Sequence, residues 1–169
     1  MRLTYRIALI GLPLAGAAPA AAQTVDLSVT IPRISVAEYH APYVAIWLEK
    51  PGGPAKTLAV WYDLDNKENG GKKWLTDVRT WWRASGRSLT LPASGVSGAT
   101  RSPGTHKLSV SAAQLGALTP GQYTLVVEAA REVGGREVVR LPTAWPAKRG
   151  ARATASGKTE LGAISMTVR

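Results

Sequence analysis

From residue 25 onward the apolar residues of this chain come in short runs closed by glycine and proline, and that punctuation dictates a fold of short strands and tight turns. Val25, Leu27, Val29 and Ile31 alternate with polar residues, the period of a strand with one buried face. Tyr43 to Glu49 and Thr57 to Tyr62 are rich in β-branched and aromatic residues, and Pro51-Gly52-Gly53-Pro54 lies between them as a hairpin loop. Gly104 to Ser111 and Gln122 to Ala130 flank a Pro120-Gly121 turn, and Gly134-Gly135 returns the chain tightly into Glu137 to Leu141. Ile164, Met166 and Val168 alternate once more at the end. Seven short strands with frequent turns predict an all-β fold, an antiparallel β-sandwich of immunoglobulin-like type.

One segment has a different period. Trp74, Val78, Trp81 and Trp82 recur at helical spacing and Gly86 ends the run, which predicts a short amphipathic helix over Lys73 to Ala84. Arg79, Arg83 and Arg87 fall at fourfold intervals, either a basic stripe beside the tryptophans or an ordinary solvated face. Trp47 and Trp61 lie on strands, where packing across the sandwich core is expected. Trp74, Trp81 and Trp82 are harder to bury together, so besides core packing one of them is a candidate to cover a flat cofactor ring or meet a partner.

The first residues are an export signal. Arg2 and Arg6 precede the apolar stretch Ile7 to Leu14, and Ala20-Ala21-Ala22 supplies a small-residue cleavage site before Gln23. Residues 1–22 are thus expected to be removed, leaving one β-sandwich domain over 23–169 with no membrane span and a periplasmic location. The chain has no cysteine, so the fold depends on its core without disulfides. Loss of Arg2 and Arg6 lowers the formal charge from +10 to +8. Nucleic acid is not an expected partner outside the cytoplasm; an anionic membrane surface, an acidic protein or an anionic cofactor suits the charge better, and a plain effect on solubility suits it as well as any of these.

Most catalytic chemistry finds no constellation. His40 and His106 lack a nearby second ligand, so no metal site is expected. Asp63, Asp65, Asn66, Glu68 and Asn69 crowd one loop, but Glu68 and Trp74 stand where an EF-hand needs glycine and glutamate. No Gly-x-Ser-x-Gly elbow is present, and Glu128-Ala129-Ala130-Arg131-Glu132 reads as a charge pattern at a strand end, with Arg131 or Arg136 to pair its carboxylates. Pro146 to Lys158 reads as a mobile basic loop.

The run Ser97-Gly98-Ala99-Thr100 is the exception. It resembles the acceptor site at which a periplasmic flavin transferase esterifies FMN to a threonine hydroxyl. Threonine supplies the attacking oxygen, Gly98 and Ala99 leave room for a second protein's active site, and Arg101 would balance the phosphodiester charge. A small-residue turn is the plainer reading of the same run. The departure from the acceptor pattern is Ser94, where an acidic residue usually stands.

A wider resemblance covers most of residues 25 to 142. Pro42 through Glu49, Leu58 through Trp61, the Trp74-Leu75 and Trp81-Trp82 pairs, Ser97 to Gly104, and Tyr123 through Glu132 occur in that order. Together they resemble an uncharacterised family of predicted periplasmic proteins, commonly encoded beside PepSY-type transmembrane proteins and flavin transferases. Val133 stands where many relatives carry histidine. The resemblance implies an extracytoplasmic electron carrier with FMN on Thr100 and a PepSY-type membrane partner, more a non-catalytic electron-transfer protein than an enzyme. Trp74, Trp81, Trp82, Arg79 and Arg83 would contact the ring or partners. The competing expectation is a non-redox β-sandwich module that holds a membrane partner, with iron uptake one setting for it.

Overall fold

The computed structural model describes residues 23–169, so the export segment 1–22 lies outside the described residues. Among the described residues nine strands form two sheets: β1 (Val25–Ile31), β2 (Tyr43–Glu49), β3 (Lys56–Tyr62), β4 (Ser97–Ala99), β5 (Gly104–Val110), β6 (Gly121–Ala130), β7 (Arg136–Trp145), β8 (Arg152–Ser156) and β9 (Ala163–Val168). The smaller sheet has the order β5-β1-β9-β8 and the larger β4-β3-β2-β6-β7. Alternation decides the packing. Val25, Leu27, Val29 and Ile31 of β1 meet Val44, Ile46 and Leu48 of β2 and Leu125, Val127 and Ala129 of β6 in one buried cluster between the sheets.

The larger sheet is buried on its other face too, which explains why β2 reads as a continuous apolar run. Ala45, Trp47, Val60, Tyr62 and Val126 form a second cluster there with Leu75, Val78 and Trp81. Trp47 therefore belongs to this outer cluster and not to the inter-sheet core, where only Trp61 of the two sits. The cover is not one helix over Lys73 to Ala84. A 3-10 helix, Lys67–Asp77, stops at Val78, whose ψ of 67° breaks the helical path, and α1 (Arg79–Ala84) follows. Trp81 is fully buried, its indole Nε1 donating to Thr57 Oγ1 at 2.9 Å. Gly86 lies under it, and a Cβ there would stand 2.8 Å from the Trp81 ring, closer than packing allows. Arg79 and Arg83 are exposed on α1, and Arg87 follows the break at Ser85, so the three form no continuous row.

A carboxylate ties this cover to the sheet. Glu128 of β6 is wholly buried, and accepts the backbone N–H of Thr80 at 3.1 Å and of Trp81 at 2.8 Å, at the start of α1, and Arg136 Nη1 at 2.7 Å. It is an internal anchor, not a charge at an open sheet edge.

Two strands were hidden in the sequence. β8 lies within the stretch expected to be a mobile loop. Ala153 and Ala155 pack towards the core while Arg152, Thr154 and Ser156 face solvent, and the strand pairs antiparallel with β9. β4 pairs parallel with β3, so the sandwich is not antiparallel throughout.

The turn between β8 and β9 is held by a second carboxylate. Glu137 of β7 accepts the backbone N–H groups of Lys158, Thr159, Glu160 and Leu161 at 2.6, 3.0, 2.9 and 2.9 Å. Burial works to raise this carboxyl, but the backbone donors of Thr159, Leu161 and Lys158 outweigh it and hold the pKa below the ordinary glutamate value. A carboxyl more acidic folded than unfolded stabilises the fold fully above its unfolded pKa. That contribution is lost as pH falls through the folded pKa. Glu137→Gln is therefore expected to lower the melting temperature at neutral pH and to converge with the parent protein at pH values below the glutamate range. A constant offset at all pH values would show that the charge is not what the turn requires.

Candidate functional site

At one end of the larger sheet the chain crosses four times. The C-terminal ends of β3, β4 and β6 and the N-terminal end of β2 come together there, because β3 and β4 run parallel and both lie antiparallel to β2, as does β6. The pairing of Tyr62 with Ala99 continues one step further, with Thr100 N–H donating to the Tyr62 carbonyl at 3.1 Å. Thr100 thus sits beside Asp63. The 3-10 helix crosses the same end and leaves a cleft of about 350 Å³, lined by Thr100, Trp74, Asp63, Asp77, Glu132 and Val133, with His40, Ala41, Tyr43, Asn66, Ala130 and Arg131 completing the wall.

Of the cofactor and partner candidates read from the sequence, Thr100 and Trp74 line this cleft, together with His40, Asp63, Asn66, Arg131, Glu132 and Val133, to which no sequence pattern assigned a place in a cofactor site. Thr100 is half-buried, and among the described residues nothing hydrogen-bonds its hydroxyl. Trp74 is 54 % exposed. The remaining candidates have other tasks. Ser97 Oγ accepts the Ala93 backbone N–H at 3.0 Å and closes the preceding turn. Gly98 passes Trp61 so closely that a Cβ would lie 3.1 Å from its ring, which gives this glycine a packing reason of its own. Ala99 is exposed, and the Arg101 guanidinium lies 5.4 Å from the centre of the Trp61 ring, outside the cleft lining. Trp81 is core, Trp82 is half-buried against it at 6.2 Å, and Arg79 and Arg83 do not line the cleft.

The wall is acidic. Asp63 accepts Asn66 Nδ2 at 2.9 Å, and His40 lies 3.1 Å from Glu38 and 3.5 Å from Glu132. Arg131 brings no free charge to the lining, because its guanidinium bonds Glu160 at 3.0 and 3.1 Å. Those bonds hold its pKa above the ordinary value although the side chain is buried. Burial also raises the Tyr43 phenol, which donates to the Gly71 carbonyl at 3.0 Å. Among the described residues no group of three or more histidine or acidic side chains is arranged to hold a metal ion. Asp77 carries no sequence signal, since one acid among many on an irregular helix looks like a solvated residue.

These features define a two-sheet β protein that presents a free hydroxyl and an exposed indole in one acidic cleft at a sheet end. The chain belongs to the family described as "Predicted periplasmic protein (DUF2271)", whose sequence pattern matches residues 24–163. The periplasm is where the export segment would deliver it. No helix among the described residues is long and apolar enough to cross a membrane. No curated protein and no solved structure matches the chain.

Proposed function

We propose that this immunoglobulin-like frame carries FMN, esterified through its phosphate to the Thr100 hydroxyl, and passes electrons between a PepSY-type membrane protein and an extracytoplasmic acceptor. The observation that supports it most is the meeting of Thr100 and the exposed Trp74 in one cleft. The hydroxyl, the indole and the volume suit the group, whereas the acidic wall, among the described residues, offers its phosphate no unpaired arginine or lysine. The hydroxyl makes no internal hydrogen bond that modification would break, the indole offers an aromatic face, and the volume lies within the range of about 300 to 1,000 Å³ usual for small-molecule sites.

In the attachment step Thr100 Oγ1 forms the new P–O bond. A flavin phosphoanhydride bound to the flavin transferase loses its other phosphate as leaving group, and the hydroxyl proton passes to the transferase. Bound FMN supplies one- and two-electron exchange. The chain's share is anchoring and tuning. The ester at Thr100 prevents loss by diffusion, and Trp74 covers one side of the cleft. The carboxylates of Asp63, Asp77 and Glu132 disfavour added negative charge there, which holds the reduction potential down. Arg101 is adjacent in sequence but must leave Trp61 to balance the phosphate.

The test is coexpression with a flavin transferase in the periplasm. Flavin fluorescence is expected to remain with the protein through denaturation, whereas a colourless product, with the transferase active on a known acceptor, rejects the reading. Trp74→Leu is expected to keep the flavin attached and to raise its fluorescence in the native state about threefold or more, because stacked indole quenches the ring. Unchanged emission would remove Trp74 from the ring's surroundings.

A further inference from the structure

We propose that the mouth of this cleft docks a partner protein through a lysine- and arginine-rich face, with Trp74 and Val133 as the apolar centre of the contact. The proposal requires no flavin on Thr100. Only four large apolar residues among those described are exposed, and two of them, Trp74 at 54 % and Val133 at 88 %, line this cleft.

Val133 is held there against its own preference. Its φ is 50°, the left-handed region that a β-branched side chain avoids, and it is the single non-glycine residue of positive φ among those described. The hairpin tip is fixed from both sides. Arg131 N–H donates to the Gly135 carbonyl and Gly134 N–H to the Arg131 carbonyl, both at 3.0 Å. The buried Glu160 carboxylate holds Arg131 and the Gly135 N–H. The strain is the same whether or not Val133 is covered, so what a partner adds is the burial of an apolar side chain that stands 88 % exposed. Tryptophan is the side chain that most often anchors such a contact.

Charge selects the partner. Asp26, Glu49, Glu128 and Glu160 each pair with an arginine, and Glu137 is held by backbone N–H groups. Among the described side chains, the carboxylates left without an arginine or a backbone donor are Glu38, Asp63, Asp65, Asp77 and Glu132. They stand on the cleft and the loops beside it. Lys72 and Lys73 precede Trp74 but do not line the cleft. A chain whose formal charge is +8 without Arg2 and Arg6 thus turns its unneutralised carboxylates towards one mouth. A basic surface is steered to that mouth and repelled by the rest of the molecule.

The test uses the mature protein, labelled with nitrogen-15 and made without a transferase, and a synthetic lysine-alanine repeat peptide as probe at low salt. Amide and indole shifts are expected to be confined to Trp74, Asp77, Thr100, Glu132 and Val133. Binding should weaken about tenfold in Asp77→Asn/Glu132→Gln and at physiological ionic strength. Val133→Gly suits the φ at that position, so it is expected to fold at least as well and to bind more weakly. No binding at low salt, shifts on another face, equal affinity in the charge variant, or tighter binding of a glutamate-alanine repeat would each overturn the proposal. Because flavin is absent throughout, its failure and that of the carrier reading are separate results.

Discussion

Thr100→Ala is expected to abolish the mass gain of one FMN less water that the proposed attachment would give the mature protein on periplasmic coexpression with a flavin transferase, and Thr100→Ser to retain it. The effect is all or none because the new bond needs an oxygen at that position. Ser97 is no substitute: its hydroxyl accepts the Ala93 N–H and it does not line the cleft. The substitution should leave the fold intact, because the bond that holds Thr100 to β3 runs through its backbone N–H and survives any side chain. Intact mass and a melting curve on the same sample check both points. A full mass gain in Thr100→Ala would move the acceptor elsewhere. No gain in the parent protein leaves the non-redox binding module as the reading to pursue.

The second large effect is on stability. Glu128→Ala is expected to cost about 2 to 4 kcal/mol, from a cavity and from the buried Trp81 N–H and the part-buried Thr80 N–H left without an acceptor at the start of α1. In a protein of this size that corresponds to a fall in melting temperature of roughly 5 to 15 °C. Arg136 contributes less to the loss, since its half-exposed side chain can turn to water. The damage should be local. With α1 released, the Trp81 indole becomes wet, so tryptophan emission should move to longer wavelength before the sheets unfold. A single cooperative transition at the parent temperature would show that the outer cluster holds α1 without the carboxylate.

Much of the scaffold was legible because one rule governed it. Where a strand has one face in the core and one in water, as β1 and β9 have, alternation names both faces and the ends fall at turn residues. β8 escaped although Arg-Ala-Thr-Ala-Ser has the right period, because alanine and serine are weak strand formers and the pairing with β9 supplies what propensity does not. The helical cover was half legible. Tryptophans at helical spacing showed that something apolar packs there. They did not show that the chain breaks at Val78, which separates a solvent-exposed Trp74 from a fully buried Trp81. Trp47 was misplaced because a strand buried on both faces gives no sign of which face its tryptophan takes.

The candidate site divides in the same way. Ser97 to Thr100 was visible as a motif and Trp74 as a spare aromatic, since both are properties of residues in order along the chain. The cleft was not visible. It exists because a three-residue strand runs parallel to β3 and delivers Thr100 to the end of the sheet where the 3-10 helix and the hairpin tip also arrive. Asp63, Asp77 and Glu132 became neighbours only through that convergence, and Glu128, Glu137 and Glu160 became internal anchors by the same route. By itself the sequence determined seven of the nine strands among the described residues, the export signal and the chemical kinds on offer, because periodicity and composition act over a few residues. Which carboxylates are neutralised, which tryptophan is left uncovered and what stands beside the threonine were decided by long-range pairing, which no local pattern encodes.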